Sequence, residues 1–150
     1  MRPKKDETQA IGRSRGGLST KIHALLDALG RPLALLLTPG QAHDLVGADA
    51  LLPQMTATLL IADRAFDADK RVLHPLAAAG KSAVIPPRPN RVRPRDFDRE
   101  RYKARHLIEN FFCRLKQFRA IAARYDKTAN NFLAAVYLAS ATIGLIDDTP

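Results

Sequence analysis

Residues 59–85 alternate a short apolar run, a helical stretch and a second apolar run, and this order narrows the fold more than any other feature of the chain. Residues 59–62 are continuously apolar and end at Asp63, the pattern of a strand buried on both faces. Residues 69–79 read as a helix closed by Gly80, and residues 82–85 read as another buried strand, stopped by Pro86 and Pro87. Two such strands joined by a helix pair in parallel through a right-handed crossover. The Asp63 carboxylate then emerges at the C-terminal end of the first strand, where it reaches solvent without being buried unpaired. Such a carboxylate is placed to ligate a metal; the plainer alternative is a cap for the helical turn that follows.

The remaining segments fit around this unit. Residues 1–20 are rich in charge, Gly and Ser and show no apolar period, so they are read as a flexible basic arm. Residues 22–29 and 33–38 are apolar runs of strand length separated by Gly30, Arg31 and Pro32, which predicts a tight hairpin. Residues 44–55 place Leu45, Ala48, Leu51 and Leu52 at helical spacing, with Asp44 as the expected cap. Residues 88–100 carry Arg88, Arg91, Arg93, Arg95 and Arg99 with Pro89 and Pro94, and are expected to form an extended basic loop. Long helices are predicted over residues 101–118 and 128–146, followed by a short tail at 147–150.

Composition limits the class of partner. A chain of 150 residues with 46% hydrophobic and 26% charged residues reads as one globular domain. Its formal net charge of +9 favours a polyanion, because each Lys or Arg that meets a phosphate releases condensed counterions. Nucleic acid leads, ahead of an acidic membrane surface, since no apolar run approaches the roughly 20 residues of a spanning helix. The basic first residues are followed by no apolar segment, so no secretory signal is read and a cytoplasmic location is expected. Cys113, the single cysteine, excludes an internal disulfide and a cysteine-cluster zinc site, and is expected to be a small core side chain. His23, His43, His74 and His106 lack zinc-ligand spacing. Nucleotide hydrolysis and acyl transfer find no Gly-rich phosphate loop or nucleophile elbow.

Within the first long helix, Tyr102, Arg105, Glu109 and Lys116 follow the spacing Tyr-x2-Arg-x3-Glu-x6-Lys. At about 100° per residue they fall within roughly 60° of one helical face, so an unbroken helix presents one acid among three phosphate-favouring groups. Leu107, Ile108, Phe111, Phe112, Leu115 and Phe118 supply an apolar face to hold it. The plainer alternative is a solvated charged face with an i, i+4 Arg and Glu pair. Asp63 and Glu109, from distant segments and each near dense positive charge, form the minimal skeleton of a magnesium phosphodiester site. Residues 88–99, with Arg114 and Arg119, are expected to bind phosphates without reading sequence. The alternative for residues 88–99 is an Arg-rich solvated loop partly offset by Asp96, Asp98 and Glu100.

This signature, together with Asp-Arg-Ala-Phe-Asp at 63–67 and the stretch 12–23, resembles the DDE-type transposases of bacterial insertion sequences, close to the group commonly numbered five. The resemblance runs over residues 12–146. It implies an α/β, ribonuclease H-like fold with a mixed sheet flanked by helices. Asp63 corresponds to the second acid of the triad and Glu109 to the third, both as ligands of Mg2+ with Mn2+ as a substitute. Tyr102, Arg105 and Lys116 correspond to residues that contact or position DNA. The implied chemistry is hydrolysis at element ends, then attack of the freed 3′-hydroxyl on target DNA, with double-stranded DNA as partner and a homo-oligomer as the active complex.

In that family the first acid lies on the first strand, upstream of the segment that begins here at Gly12. Asp6, Asp27 and Asp44 all lack its context. Residues 21–146 are therefore read as a partial catalytic domain lacking its first strand and inactive alone, with an upstream-frame product as the expected source of the missing acid. A non-catalytic DNA-binding regulator, or a remnant of the same element, is the second reading. A basic RNA-binding structural protein is the third, and it gives no reason for Asp63 and Glu109.

Overall fold

A computed structural model describes residues 9–124 and 127–147. The chain divides into two compact units, one formed by Met1–Ala42 with Leu107–Pro150 and the other by His43–His106. Both strands and helices are present, so the architecture is mixed α/β.

The first unit is built on a hairpin. Strands β2 (Gly17–Leu26) and β3 (Pro32–Pro39) pair antiparallel, with Ala24 opposite Leu35. The turn forms where Gly30 and Pro32 predict it: Gly30 adopts φ +80, a region that other residues enter only at a cost. Asp27 locks the turn, its carboxylate accepting the backbone N–H groups of Leu29 and Arg31 at 2.9 Å and Arg31 Nε at 2.8 Å. Burial opposes ionisation of Asp27, but the hydrogen bonds from Arg31 and Leu29 outweigh it and hold the carboxyl below its ordinary range.

Strand β1 (Gly12–Ser14) pairs with the start of β2, so residues 12–14 and 17–20 of the expected flexible arm form a short ribbon. Gln9 is also tied down. Its side chain accepts the N–H of Ala129 at 2.9 Å, satisfying a donor at the start of helix α6 (Ala129–Asp147). Arg124 clasps the same segment through the Gln9 carbonyl at 2.6 Å while its guanidinium lies 4.9 Å from the Phe132 ring centre. Residues 1–8 of that arm lie outside the described residues, as do 148–150 of the tail.

Helix α6 is apolar almost throughout and runs for 19 residues. It packs with helices α4 (His106–Leu115) and α5 (Arg119–Ala122) on a core of Leu35, Phe111, Leu115, Ile121, Phe132, Val136, Ala139 and Ile143. The Tyr137 hydroxyl accepts the Leu35 N–H at 3.2 Å, covering a donor on the outer edge of β3. Cys113 is exposed, contrary to expectation. It lies two residues from both Phe111 and Leu115, about 200° around the helix from the side that enters the core.

In the second unit, β4 (Leu59–Ile61) and β5 (Ser82–Val84) pair in parallel, Leu60 opposite Ala83. All three β4 residues are half-buried, so the expected burial on both faces is not complete. Between the strands, residues Asp69–Leu73 form a wide π-type turn before helix α2 (His74–Ala78). Pro75 explains the widening, since its ring lacks an N–H and crowds the carbonyl one turn back. Helix α1 (Asp44–Leu51) is capped by His43, whose Nδ1 accepts the Leu45 N–H at 3.2 Å; Asp44, the expected cap, is the first helical residue. Leu45, Leu51, Val72, Leu76 and Ile85 form the buried interior of this unit. Among the described residues the antiparallel and parallel strands form two separate sheets instead of one mixed sheet.

Candidate active site

Asp63 follows β4 as the geometry of residues 59–63 predicts. Its backbone is extended, and its Oδ1 accepts the Ala65 N–H at 2.7 Å, capping the 3-10 turn Arg64–Phe66. The capping reading therefore holds, and it leaves the second carboxylate oxygen outside the turn. One carboxylate oxygen is committed to the turn, which fixes the side chain, and Oδ2 lies 3.6 Å from Arg105 Nη2 with the side chain 39% exposed. A partly open carboxylate fits a hard divalent cation that keeps several waters and binds through one or two carboxylates.

Arg105 reaches Asp63 from a segment that is not the unbroken helix predicted over 101–118. Helix α3 (Arg99–Tyr102) is followed by a 3-10 turn, Lys103–Arg105, before α4 begins. Helix α4 ends at Leu115, so Lys116 lies in the turn beyond it. The four signature residues consequently do not share one continuous helical face. Tyr102 and Arg105 belong to the second unit, Glu109 and Lys116 to the first. Tyr102 packs edge-on against Phe97 at 5.5 Å. Glu109 is exposed in the first turn of α4, where the helix dipole favours its negative charge. Arg114 is exposed near the end of α4, and Arg119, also exposed, opens α5.

The basic loop is less available than its composition predicts. Arg91 Nη1 and Arg95 Nη2 both donate to Asp67 Oδ1, at 2.8 and 3.0 Å, and Arg91 also pairs with Asp69. Arg88 turns inward, its guanidinium donating to the Ala65 carbonyl at 2.8 Å and the Arg64 carbonyl at 3.3 Å. The offsetting acids are thus Asp67 and Asp69, which the sequence places outside the loop; Asp98 pairs with Arg101 and Glu100 with Lys103. Arg93 and Arg99 remain exposed, Arg99 over the Phe97 ring at 5.5 Å. Burial works against the charge of Asp67, but the Arg88 N–H, Arg95 and Arg91 outweigh it and hold the carboxyl below its ordinary range.

Among the described residues no group of three or more His, Cys, Asp or Glu side chains comes together to hold a metal ion, and no helix is long and apolar enough to cross a membrane.

Comparison with known proteins joins these observations to a family. The sequence matches the Transposase DDE domain over residues 2–143. It is 40% identical over 129 residues to a protein of Brucella ovis described as a transposase for insertion sequence element IS6501, covering 85% of this chain and 99% of that one. No solved structure matches. The chain belongs to the DDE-type transposases of insertion sequences, and its role is in DNA transposition. Membership implies use of a divalent metal.

Proposed function

We propose that this chain is the C-terminal portion of a transposase catalytic domain with a ribonuclease H-like fold, in which Asp63 and Glu109 are the second and third acids of a metal-dependent phosphodiester site. The observation that carries the reading is the approach of Arg105 to Asp63 at 3.6 Å. Two motifs far apart in sequence, the Asp-Arg-Ala-Phe-Asp element and the Tyr-Arg-Glu-Lys signature, meet through one residue of each.

The roles follow from placement. Asp63, fixed by the Ala65 N–H, offers Oδ2 as a ligand and keeps Arg105 beside it. Arg105 is then set to exchange the carboxylate for a phosphate oxygen of bound DNA, a favourable swap because a guanidinium grips either oxyanion through paired N–H groups. Glu109 supplies the other carboxylate. Mg2+, with Mn2+ as a substitute, provides Lewis-acid activation of the scissile phosphate and its nucleophile when bound. Tyr102, Lys116, Arg114 and Arg119 contact or position double-stranded DNA at element ends and target, in the cytoplasm.

In this reading the third carboxylate comes from an upstream-frame product within a homo-oligomeric complex. A DNA-binding regulator that occupies element ends without cutting is the second reading. Strand transfer by the completed enzyme separates the two. Glu109→Gln is expected to abolish transfer while leaving DNA binding nearly intact; retained transfer overturns the catalytic assignment.

A further inference from the structure

Asp67 ends the Asp-Arg-Ala-Phe-Asp element and has no part in the site described above, yet its side chain is 1% exposed and pairs with both Arg91 and Arg95. Its position is covalently close to the chemistry. Asp63 opens the 3-10 turn Arg64–Phe66 and Asp67 closes it, the Asp67 N–H donating to the Arg64 carbonyl at 3.2 Å. Whatever fixes Asp67 therefore fixes the far end of the turn that holds Asp63.

Three residues of one loop converge on this carboxylate. Oδ2 accepts the Arg88 backbone N–H at 2.8 Å, while the Arg88 side chain donates to the Ala65 and Arg64 carbonyls, so the loop is docked on the turn from both sides. Oδ1 accepts from Arg91 and Arg95, and Arg95 Nη2 also donates to the Ile85 carbonyl at 2.7 Å, just past the end of β5. Ala65, whose N–H holds Asp63 Oδ1, is thereby gripped through its carbonyl by the same network. The arrangement ties the ends of both parallel strands to the turn through one buried anion.

We propose that Asp67 is a positioning residue for the Asp63 carboxylate, binding Arg88, Arg91 and Arg95 so that the turn stays in its ligating geometry. This rests on the reading of Asp63 as a metal ligand. Partners that orient a ligand through hydrogen bonds typically cost about ten- to a hundredfold in metal affinity or activity when removed. A merely structural knot would lower stability without changing the metal requirement of the folded enzyme or loosening the Ala65 amide selectively.

The test uses Asp67→Asn, which keeps the shape and removes the charge, with two readouts. In this chain, amide hydrogen exchange at Ala65 and Arg88 is expected to rise at least about tenfold while amides of the β2–β3 hairpin stay protected. In the completed transposase, the Mn2+ concentration giving half-maximal strand transfer is expected to rise by about tenfold or more, with Asp67→Glu restoring part of the difference. Unchanged Ala65 exchange and an unchanged Mn2+ requirement overturn the proposal. If Asp67→Asn does not fold, Arg91→Gln, which leaves Arg88 and Arg95 on the carboxylate, is expected to shift both readouts the same way by less, and no shift overturns it. Asp63→Asn run in parallel tests the underlying reading separately. Full activity there removes the ligand role of Asp63, whereas an inactive Asp63→Asn beside an unaffected Asp67→Asn removes only the positioning role.

Discussion

The apolar core of the first unit and the Asp63 turn of the second are held by different physics. In the first, Phe111, Leu115, Phe132 and Val136 are at most 2% exposed, and order comes from non-directional apolar burial between helices and a hairpin. In the second, the turn that carries Asp63 is fixed by directional hydrogen bonds around one buried carboxylate. Apolar packing is tolerant of small shifts, while a charge-assisted network sets atoms to within a few tenths of an ångström. Both units bury apolar side chains, and the second adds a directional network at the Asp63 turn, where a functional carboxylate has to be held in a fixed position.

Substitutions can break this division. Phe132→Ala, at 2% exposure, removes a ring from the centre of the first unit and is expected to cost about 3–5 kcal/mol in urea unfolding. A cost below about 1 kcal/mol would mean the apolar core is not the main support. Asp67→Ala removes the counter-ion of Arg95 and one of the two acids paired with Arg91, and a loss of about 1.5–3 kcal/mol is expected, confined to the second unit if the units unfold separately. Proteolysis mapping would show which unit opens.

Acid sharpens the same contrast. Asp67 is held below its ordinary value of 3.8, so the folded state binds its proton more weakly than the unfolded state does. Its contribution is fully present above the unfolded value and is lost as pH falls through the lower folded value. Circular dichroism with amide exchange between pH 5 and 2 is expected to show the Asp63 turn loosening before the core helices. Simultaneous loss would argue against two regimes. Smaller effects complete the series. Gly30→Ala, at φ +80 in the hairpin turn, is expected to cost about 1–2 kcal/mol. Arg114→Gln is expected to lower the slope of log affinity against log salt by about 0.9 if it meets one duplex phosphate.

Local signals were legible and long-range pairings were not. Gly30 and Pro32 mark the hairpin, Gly80 and Pro86 bound the parallel strands, and Asp63 emerges where an apolar run ends, because each depends on neighbours within a few residues. The break at Lys103–Arg105 is invisible to periodicity, since residues 101–118 carry an uninterrupted helical pattern while Arg105 has a partner in the distant Asp63 turn. The same holds for the basic loop. Counting acids inside residues 88–100 misses Asp67 and Asp69, which neutralise it from another segment. The exposure of Cys113 was within reach, as its spacing from Phe111 and Leu115 already turns it away from the core.

The central claim is that Asp63 and Glu109 act together on DNA. Its most direct test is strand transfer of a pre-cleaved element end into plasmid DNA in Mg2+ by the transposase assembly that carries this chain, comparing the native sequence with Asp63→Asn and Glu109→Gln. The account predicts that each substitution reduces product to background while gel-shift binding of the element end is nearly unchanged. Transfer at the native rate by either variant would contradict it.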